Sequence, residues 1–105
     1  MTWPTDSDGD VFRRMEASGF DFSREHSIDF NIDFEKWPPP QAALDLLQAQ
    51  YGNVEIFNPD ERGAGYVLFR IVARASYELV TSVQRNATSA MQPYGGVCET
   101  WGVLF

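Results

Sequence analysis

The segment from His26 to Phe34, in which apolar and polar residues alternate, constrains the fold more than any other part of this sequence. The apolar and polar sets interleave as Ile28, Phe30, Ile32 and Phe34 against Ser27, Asp29, Asn31 and Asp33. Because neighbouring side chains of a β-strand point to opposite faces, such a segment has one apolar face and one acidic, polar face. The pattern predicts a strand that packs on a core on one side and meets water on the other.

Helical spacing, capping residues and strand propensity predict the rest of the chain. The expected elements are a helix at 8–18, the strand at 26–34, a helix at 41–51, strands at 53–57 and 66–73, a helix between Ser76 and Pro93, and a strand at 97–105. Without the first helix the order is βαββαβ, the split ferredoxin-like unit. We therefore predict an α+β fold, a ferredoxin-like antiparallel sheet with an extra N-terminal helix. Strands 26–34 and 66–73 would form its central pair, with both later helices on one face.

Length and composition predict one globular domain over residues 1–105, with residues 1–7 as a flexible leader. Cys98 is the only cysteine, so an intrachain disulfide is impossible and a reducing compartment is favoured. The first residues lack the basic and apolar regions of a secretory signal, and no segment has the ~20 apolar residues of a membrane span. We expect a soluble, cytoplasmic protein.

The formal net charge is −7, and it is unevenly distributed. Residues 1–61 have a net charge of −9, whereas residues 62–105 have a net charge of +2. An acidic surface repels phosphate, so direct binding of nucleic acid is disfavoured. Two interpretations stay open, namely simple solubility and attraction of a basic protein partner.

The predicted topology brings charged residues from the two halves together on the sheet face away from the helices. Asp29 and Asp33 should lie near Arg70, the only charge in its strand. If odd positions of the last strand also point outward, Glu99 and Trp101 share this face. These five residues are the predicted protein interface, accompanied by Tyr66, Leu68 and Phe57. Cover by the first helix or self-association as a homodimer are the alternatives for such a surface.

Catalytic and metal-binding patterns are incomplete in this sequence. Asp29-x-Asn31-x-Asp33 begins like a calcium loop, but Phe34 and Pro40 replace the required glycine and glutamate, so at most weak cation binding is expected. His26 has no partners at a catalytic spacing, and Cys98 has no neighbours that would activate a thiol. We therefore predict a protein that is not an enzyme and that has no metal and no cofactor.

Motifs at both ends resemble a known family. The stretches Asp8–Met15, Gly19–Asp21 and Ile28–Phe30 look like the opening of the regulator of ribonuclease activity B family. The closing stretch Tyr94–Gly102 resembles that family's terminal Gly-Gly-x-Tyr-Asp-Gly-Trp pattern, with Cys, Glu and Thr where the pattern has Tyr, Asp and Gly. The resemblance implies a ferredoxin-like, acidic, cytoplasmic bacterial protein. It also implies binding to the C-terminal region of ribonuclease E and inhibition of RNA cleavage by protein–protein contact, without catalysis.

Two other hypotheses remain beside this one. The first is a small-molecule-binding or enzymatic domain, with a concave pocket where Asp29, Asp33, Arg70 and His26 converge. The second is a dimer whose sheets pair or stack.

Overall fold

The computed structural model of this chain describes residues 3–103, and within them it has three α-helices and four β-strands. They follow one another as α1 (Ser7–Ala17), β1 (Glu25–Phe34), α2 (Gln41–Tyr51), β2 (Val54–Phe57), β3 (Tyr66–Arg74), α3 (Tyr77–Met91) and β4 (Gly96–Val103). A short 3-10 turn, Gln92–Tyr94, joins α3 to β4. The predicted element order is confirmed. The last two residues predicted for the final strand, 104 and 105, lie outside the described residues.

The four strands form one antiparallel sheet in the order β2-β3-β1-β4. β1 and β3 are the central pair, as the ferredoxin-like topology requires. Phe30 lies opposite Phe69, with ring centroids 5.3 Å apart, and Ile32 lies opposite Val67. All four side chains are completely buried. The predicted α+β fold is therefore confirmed, and the alternation in β1 does separate an inner from an outer face.

The helices within residues 3–103 all pack against the inner face. The core combines Phe12 of α1, Leu47 of α2 and Val80 of α3 with Phe30 of the sheet, each of them fully buried. Phe12 lies between aromatic rings, 4.7 Å from that of Trp3 and 5.1 Å from that of Trp101. α1 therefore does not cover the outer face, which was one of the open alternatives.

The start of the described chain contacts α1. Trp3 stacks on Phe12, and the Arg13 guanidinium donates hydrogen bonds to the carbonyls of Trp3 and Pro4. Asp6 accepts a hydrogen bond from the Gly9 amide and so caps α1. Residues 3–7 of the leader that was predicted to be flexible thus contact or cap α1, and residues 1 and 2 lie outside the described residues.

β4 contains a β-bulge that reverses part of the predicted facing. Cys98 lies opposite Ile32 and Thr100 lies opposite Asn31, so Glu99 is an extra residue between them. Trp101 then lies opposite Phe30 and points to the inner face. The prediction that Trp101 shares the outer face with Glu99 is wrong, because the bulge shifts the alternation by one residue.

Candidate functional site

The sheet face that carries no helix is the candidate functional surface, and we call it the open face. The strand register places on it Glu25, Ser27, Asp29, Asn31 and Asp33 of β1, Glu55 and Phe57 of β2, Tyr66, Leu68, Arg70, Val72 and Arg74 of β3, and Val97 and Thr100 of β4. Val72 is 67% exposed and Phe57 is 38% exposed. Apolar side chains on a surface that is also charged are typical of an interaction site.

Three charged side chains form a cluster at the centre of the open face. The Arg70 Nε donates a hydrogen bond to Asp29 at 2.9 Å, and the Arg70 Nη1 donates to Glu55. The hydrogen bond that Arg70 donates to Glu55, together with the negative charges of Asp29 and Glu55, raises the pKa of Arg70 above its ordinary value. The predicted proximity of Asp29 to Arg70 is confirmed, whereas Asp33 lies opposite Tyr66, four residues along β3 from Arg70, because the strands pair residue by residue. All three side chains remain exposed to water, so the cluster orders the surface more than it stabilises the fold.

A row of aromatic and acidic side chains crosses the open face beside this cluster. Phe57 lies opposite Tyr66, with the rings stacked at a centroid distance of 4.7 Å and an interplanar angle of 15°. Tyr66 in turn lies opposite Asp33, and Asp33 lies opposite Val97. We call Phe57, Tyr66 and Asp33 the aromatic–acidic row. Leu68, next to it on β3, is buried although it belongs to the open face.

The open face has a negative balance of charge. Glu25, Asp29, Asp33 and Glu55 outnumber Arg70 and Arg74. Glu99, in the bulge at the edge of the sheet, is exposed and adds to the negative potential there. Such a surface attracts cationic groups and repels phosphate.

Trp101 is the one predicted interface residue that lies away from this surface. Its indole Nε1 donates a 2.9 Å hydrogen bond to Asp8 of α1, and its ring packs on Phe12. Trp101 therefore ties the first helix to the last strand. Glu55 is the opposite case, because it was not among the predicted interface residues although it completes the charge cluster. The alternation in β2, with Glu55 between Val54 and Ile56, was the signal that could have identified it.

His26 does not converge with the charged residues of the open face. It occupies an inner-face position of β1, where its ring lies 4.4 Å from that of Phe20 and its Nε2 lies 3.2 Å from the Asp21 carbonyl oxygen. The pocket in which Asp29, Asp33, Arg70 and His26 would meet therefore does not form. This geometry removes the arrangement on which the small-molecule hypothesis was based.

Cys98 is a packed residue without the environment of a nucleophile. Its side chain is 3% exposed, and burial together with the negative charge of Asp33 raises the pKa of the Cys98 thiol to about 12. At neutral pH the group is a neutral thiol, and the thiolate is the reactive form.

The Asp29, Asn31 and Asp33 side chains share one face, as a cation site on a strand would require, but Asp29 is already engaged by Arg70. Asn31 Oδ1 is buried and has no hydrogen-bond partner among residues 3–103. The same part of the chain contains no group of three or more His, Cys, Asp or Glu side chains placed to hold a metal ion.

Within residues 3–103, no helix combines the length and the apolar character that crossing a membrane requires.

Comparison with known proteins agrees with the resemblance seen at the two ends of the sequence. A family model described as regulator of ribonuclease activity B matches residues 5–103, which is nearly the whole chain. No curated protein and no solved structure matches the chain. The matched range includes every strand of the open face and all three helices described above.

Proposed function

Since this chain belongs to the regulator of ribonuclease activity B family, we propose that it binds ribonuclease E and inhibits RNA cleavage through protein–protein contact, without catalysis. The family match over residues 5–103 is the observation that carries the proposal. The family name indicates a regulator rather than a catalyst, and it implies a ribonuclease as protein partner. The choice of ribonuclease E, of its C-terminal region and of a bacterial cytoplasmic setting comes from the family resemblance and belongs to the proposal.

The open face supports this proposal as the surface of contact. It is acidic, carries exposed apolar groups, and is free of the helices. A basic partner segment would be attracted over a distance of about one Debye length, roughly 10 Å at ordinary salt. We assign the contact to Asp29, Asp33 and Arg70 with Glu99 at the edge. Trp101 is not part of the assigned contact surface, because its ring packs on Phe12 of α1 and its indole donates a hydrogen bond to Asp8.

The direct test is binding to the C-terminal region of ribonuclease E at about 50 mM and about 200 mM salt, combined with an RNA cleavage assay. Binding that weakens as salt rises, together with slower cleavage by the complex, would support the proposal. Absence of binding at both salt concentrations would refute the partner. Binding with unchanged cleavage would refute the inhibitory role.

A charge reversal at Asp33 tests whether the open face is the surface that contacts the partner. Asp33→Lys places a positive charge on the exposed part of the open face, so we expect several-fold weaker binding, mainly through slower association. Glu16→Lys is the matched control, because Glu16 is exposed on α1, on the opposite side of the sheet, and the change in net charge is the same. Equal weakening by both variants would show that only net charge matters, and would contradict the assignment to the open face.

Self-association through the open face is a second candidate role, which the exposure of Val72 and Phe57 favours. In that case the apolar groups would be covered by the same face of a second copy. Sedimentation at increasing protein concentration tests this candidate. A monomer throughout, and an unchanged sedimentation profile for Val72→Lys, would remove it.

A further inference from the structure

The geometry of the aromatic–acidic row specifies what kind of side chain it can receive. The centroid distance of 4.7 Å between Phe57 and Tyr66 equals the usual spacing of neighbouring strands, about 4.8 Å. The two rings therefore stand upright side by side across β2 and β3. One face of the Tyr66 ring is stacked on Phe57. The strand on the other side of Tyr66 is β1, where Asp33 is the opposite residue.

We propose that this row is a binding site for an arginine side chain of the protein partner. The guanidinium would take the next place in the stack, against the free face of Tyr66, while Asp33 accepts hydrogen bonds from its N–H groups. A guanidinium is planar, stacks on aromatic rings and pairs with a carboxylate through two parallel hydrogen bonds. The ammonium group of lysine is not planar and cannot form two parallel hydrogen bonds with one carboxylate. The site would therefore distinguish arginine from lysine.

The charges around the row favour an incoming cation. Arg70 is four residues along the strand from Tyr66, about 13 Å away, and its charge is compensated by Asp29 and Glu55. Asp60 and Arg62 of the loop between β2 and β3 line a cavity together with Phe57 and Tyr66, and their opposite charges offset each other. On β1, the strand register places Asp33 opposite Tyr66. This inference rests on the proposed function, in that the arginine belongs to the basic protein segment which the open face receives.

Two short synthetic peptides of equal charge test the inference, one alternating Arg with Ser and the other alternating Lys with Ser. A fluorescence titration of the full chain should give about two- to fivefold tighter binding of the arginine peptide, the contribution of a cation–π contact at an exposed site. In Tyr66→Leu this preference should disappear, whereas the weaker lysine binding should change little. Equal affinity of the two peptides, or a preference that survives in Tyr66→Leu, would overturn the inference.

A second pair of variants tests the carboxylate. Asp33→Asn should weaken binding of the arginine peptide, and Glu25→Gln, which removes the same charge from the far end of the open face, should weaken it less. In case a variant fails to fold, NMR of the unmodified protein gives an independent readout. Shifts at Tyr66 and Asp33 larger than those at Glu25 on addition of the arginine peptide support the site, and shifts spread evenly over the acidic residues contradict it.

The experiments separate this inference from the proposed function. If the chain binds and inhibits ribonuclease E but does not prefer the arginine peptide, the arginine site is wrong and the regulatory role stands. If the chain prefers the arginine peptide through Tyr66 but neither binds nor inhibits ribonuclease E, the site stands and the partner is wrong.

Discussion

At the scale of single residues, Asn31 is a polar group in an unfavourable position. Its Oδ1 is buried on the open side of β1 without a hydrogen-bond partner among residues 3–103. A buried acceptor that loses water without gaining a donor costs about 1–3 kcal/mol. Asn is also a poor strand former compared with β-branched residues. Asn31 therefore lowers the free energy of unfolding relative to an apolar, β-branched residue at the same position.

The first prediction follows from this cost. Asn31→Val removes the unpaired amide and improves strand propensity, so we expect the free energy of unfolding to rise by about 1 kcal/mol in urea denaturation. Ser27→Val is the matched control on the same strand and face, because Ser27 is exposed and its replacement changes propensity alone. If the free energy of unfolding rises equally in the two variants, the buried amide oxygen of Asn31 does not destabilise the fold, and the interpretation is wrong.

The residue scale also shows how far the sequence could predict this surface. Alternation alone placed Asp29, Asp33 and Arg70 on one face, since a regular strand fixes the direction of each side chain. Alternation gave the wrong face for Trp101, because the bulge at Glu99 depends on the pairing of β4 with β1 and cannot be recognised from the sequence of β4 alone. The Phe57–Tyr66 stack was likewise beyond the sequence, because it requires the register of β2 against β3.

At the scale of elements, α1 is joined to the rest of the molecule by two carboxylates near its first turn. Asp6 accepts hydrogen bonds from the Gly9 amide and from the Tyr77 hydroxyl of α3, and Asp8 accepts one from the Trp101 indole of β4. The hydrogen bond from the Tyr77 hydroxyl, followed by that from the Gly9 amide, lowers the pKa of Asp6 below its ordinary value. Asp6, which caps the helix, therefore also links it to α3, and Asp8 links it to β4.

The second prediction concerns Asp6. Asp6→Ala should lower the thermal midpoint at neutral pH, because the cap and the link to Tyr77 are both lost. The pKa of Asp6 is lower in the folded state than in the unfolded state. Its contribution is therefore present above the unfolded-state pKa and is lost as the pH falls through the folded-state pKa. The difference between variant and wild type should shrink at about pH 2.5.

Asp10→Ala provides the control for this prediction, since Asp10 carries the same charge in the same turn but pairs only with the exposed Arg13 side chain. Circular dichroism melts of both variants at both pH values are the measurement. A shift in Asp10→Ala as large as that in Asp6→Ala would show that the helix dipole, rather than the cap and the link, is responsible.

The third prediction concerns the link between α3 and the edge strand β4. The Thr88 hydroxyl accepts a 2.9 Å hydrogen bond from the Cys98 amide, which points away from the sheet. Thr88→Val leaves that amide without an acceptor and should lower the free energy of unfolding by about 1–2 kcal/mol. Thr81→Val on the same helix removes only bonds to backbone carbonyls of its own helix, and should change it by less than about 0.5 kcal/mol. Equal losses in urea denaturation would contradict the assignment.

The elements themselves were largely predictable, and their placement was less so. Helix α2 was predicted with its observed ends, because Pro40 and Gly52 mark its limits in the sequence. Helical spacing predicted α1, but this spacing does not say which surface of the sheet the helix meets. Contacts from Phe12 to Trp3 and Trp101 decide that, and they join distant parts of the chain.

At the scale of the whole molecule, the topology rules for βαββαβ chains predicted the strand order and the common side of the later helices. They could not predict the partner, because net charge and an uncovered face define a class of molecule and not an identity. The name of the matched family indicates that the partner is a ribonuclease.

The fourth prediction concerns the predicted single domain. Trp3 and Trp101 report on the packing of α1, whereas Trp37 lies near the loop between β2 and β3, where its indole donates a hydrogen bond to Asn58. If the chain is one cooperative unit, tryptophan fluorescence and far-ultraviolet circular dichroism should give the same urea midpoint. An earlier fluorescence transition would show that part of the chain unfolds separately.

The extra residue in β4 has a consequence for how this chain tolerates length changes. Removing one residue from a regular strand turns every side chain beyond it to the wrong side of the sheet. Removing Glu99 would instead leave Cys98 and Trp101 facing as they do now, because their opposite residues Ile32 and Phe30 are separated by a single position. Glu99 is thus a residue that β4 can lose. Its deletion would remove the bulge and straighten the strand, while the inner-face contacts of Cys98 and Trp101 persist.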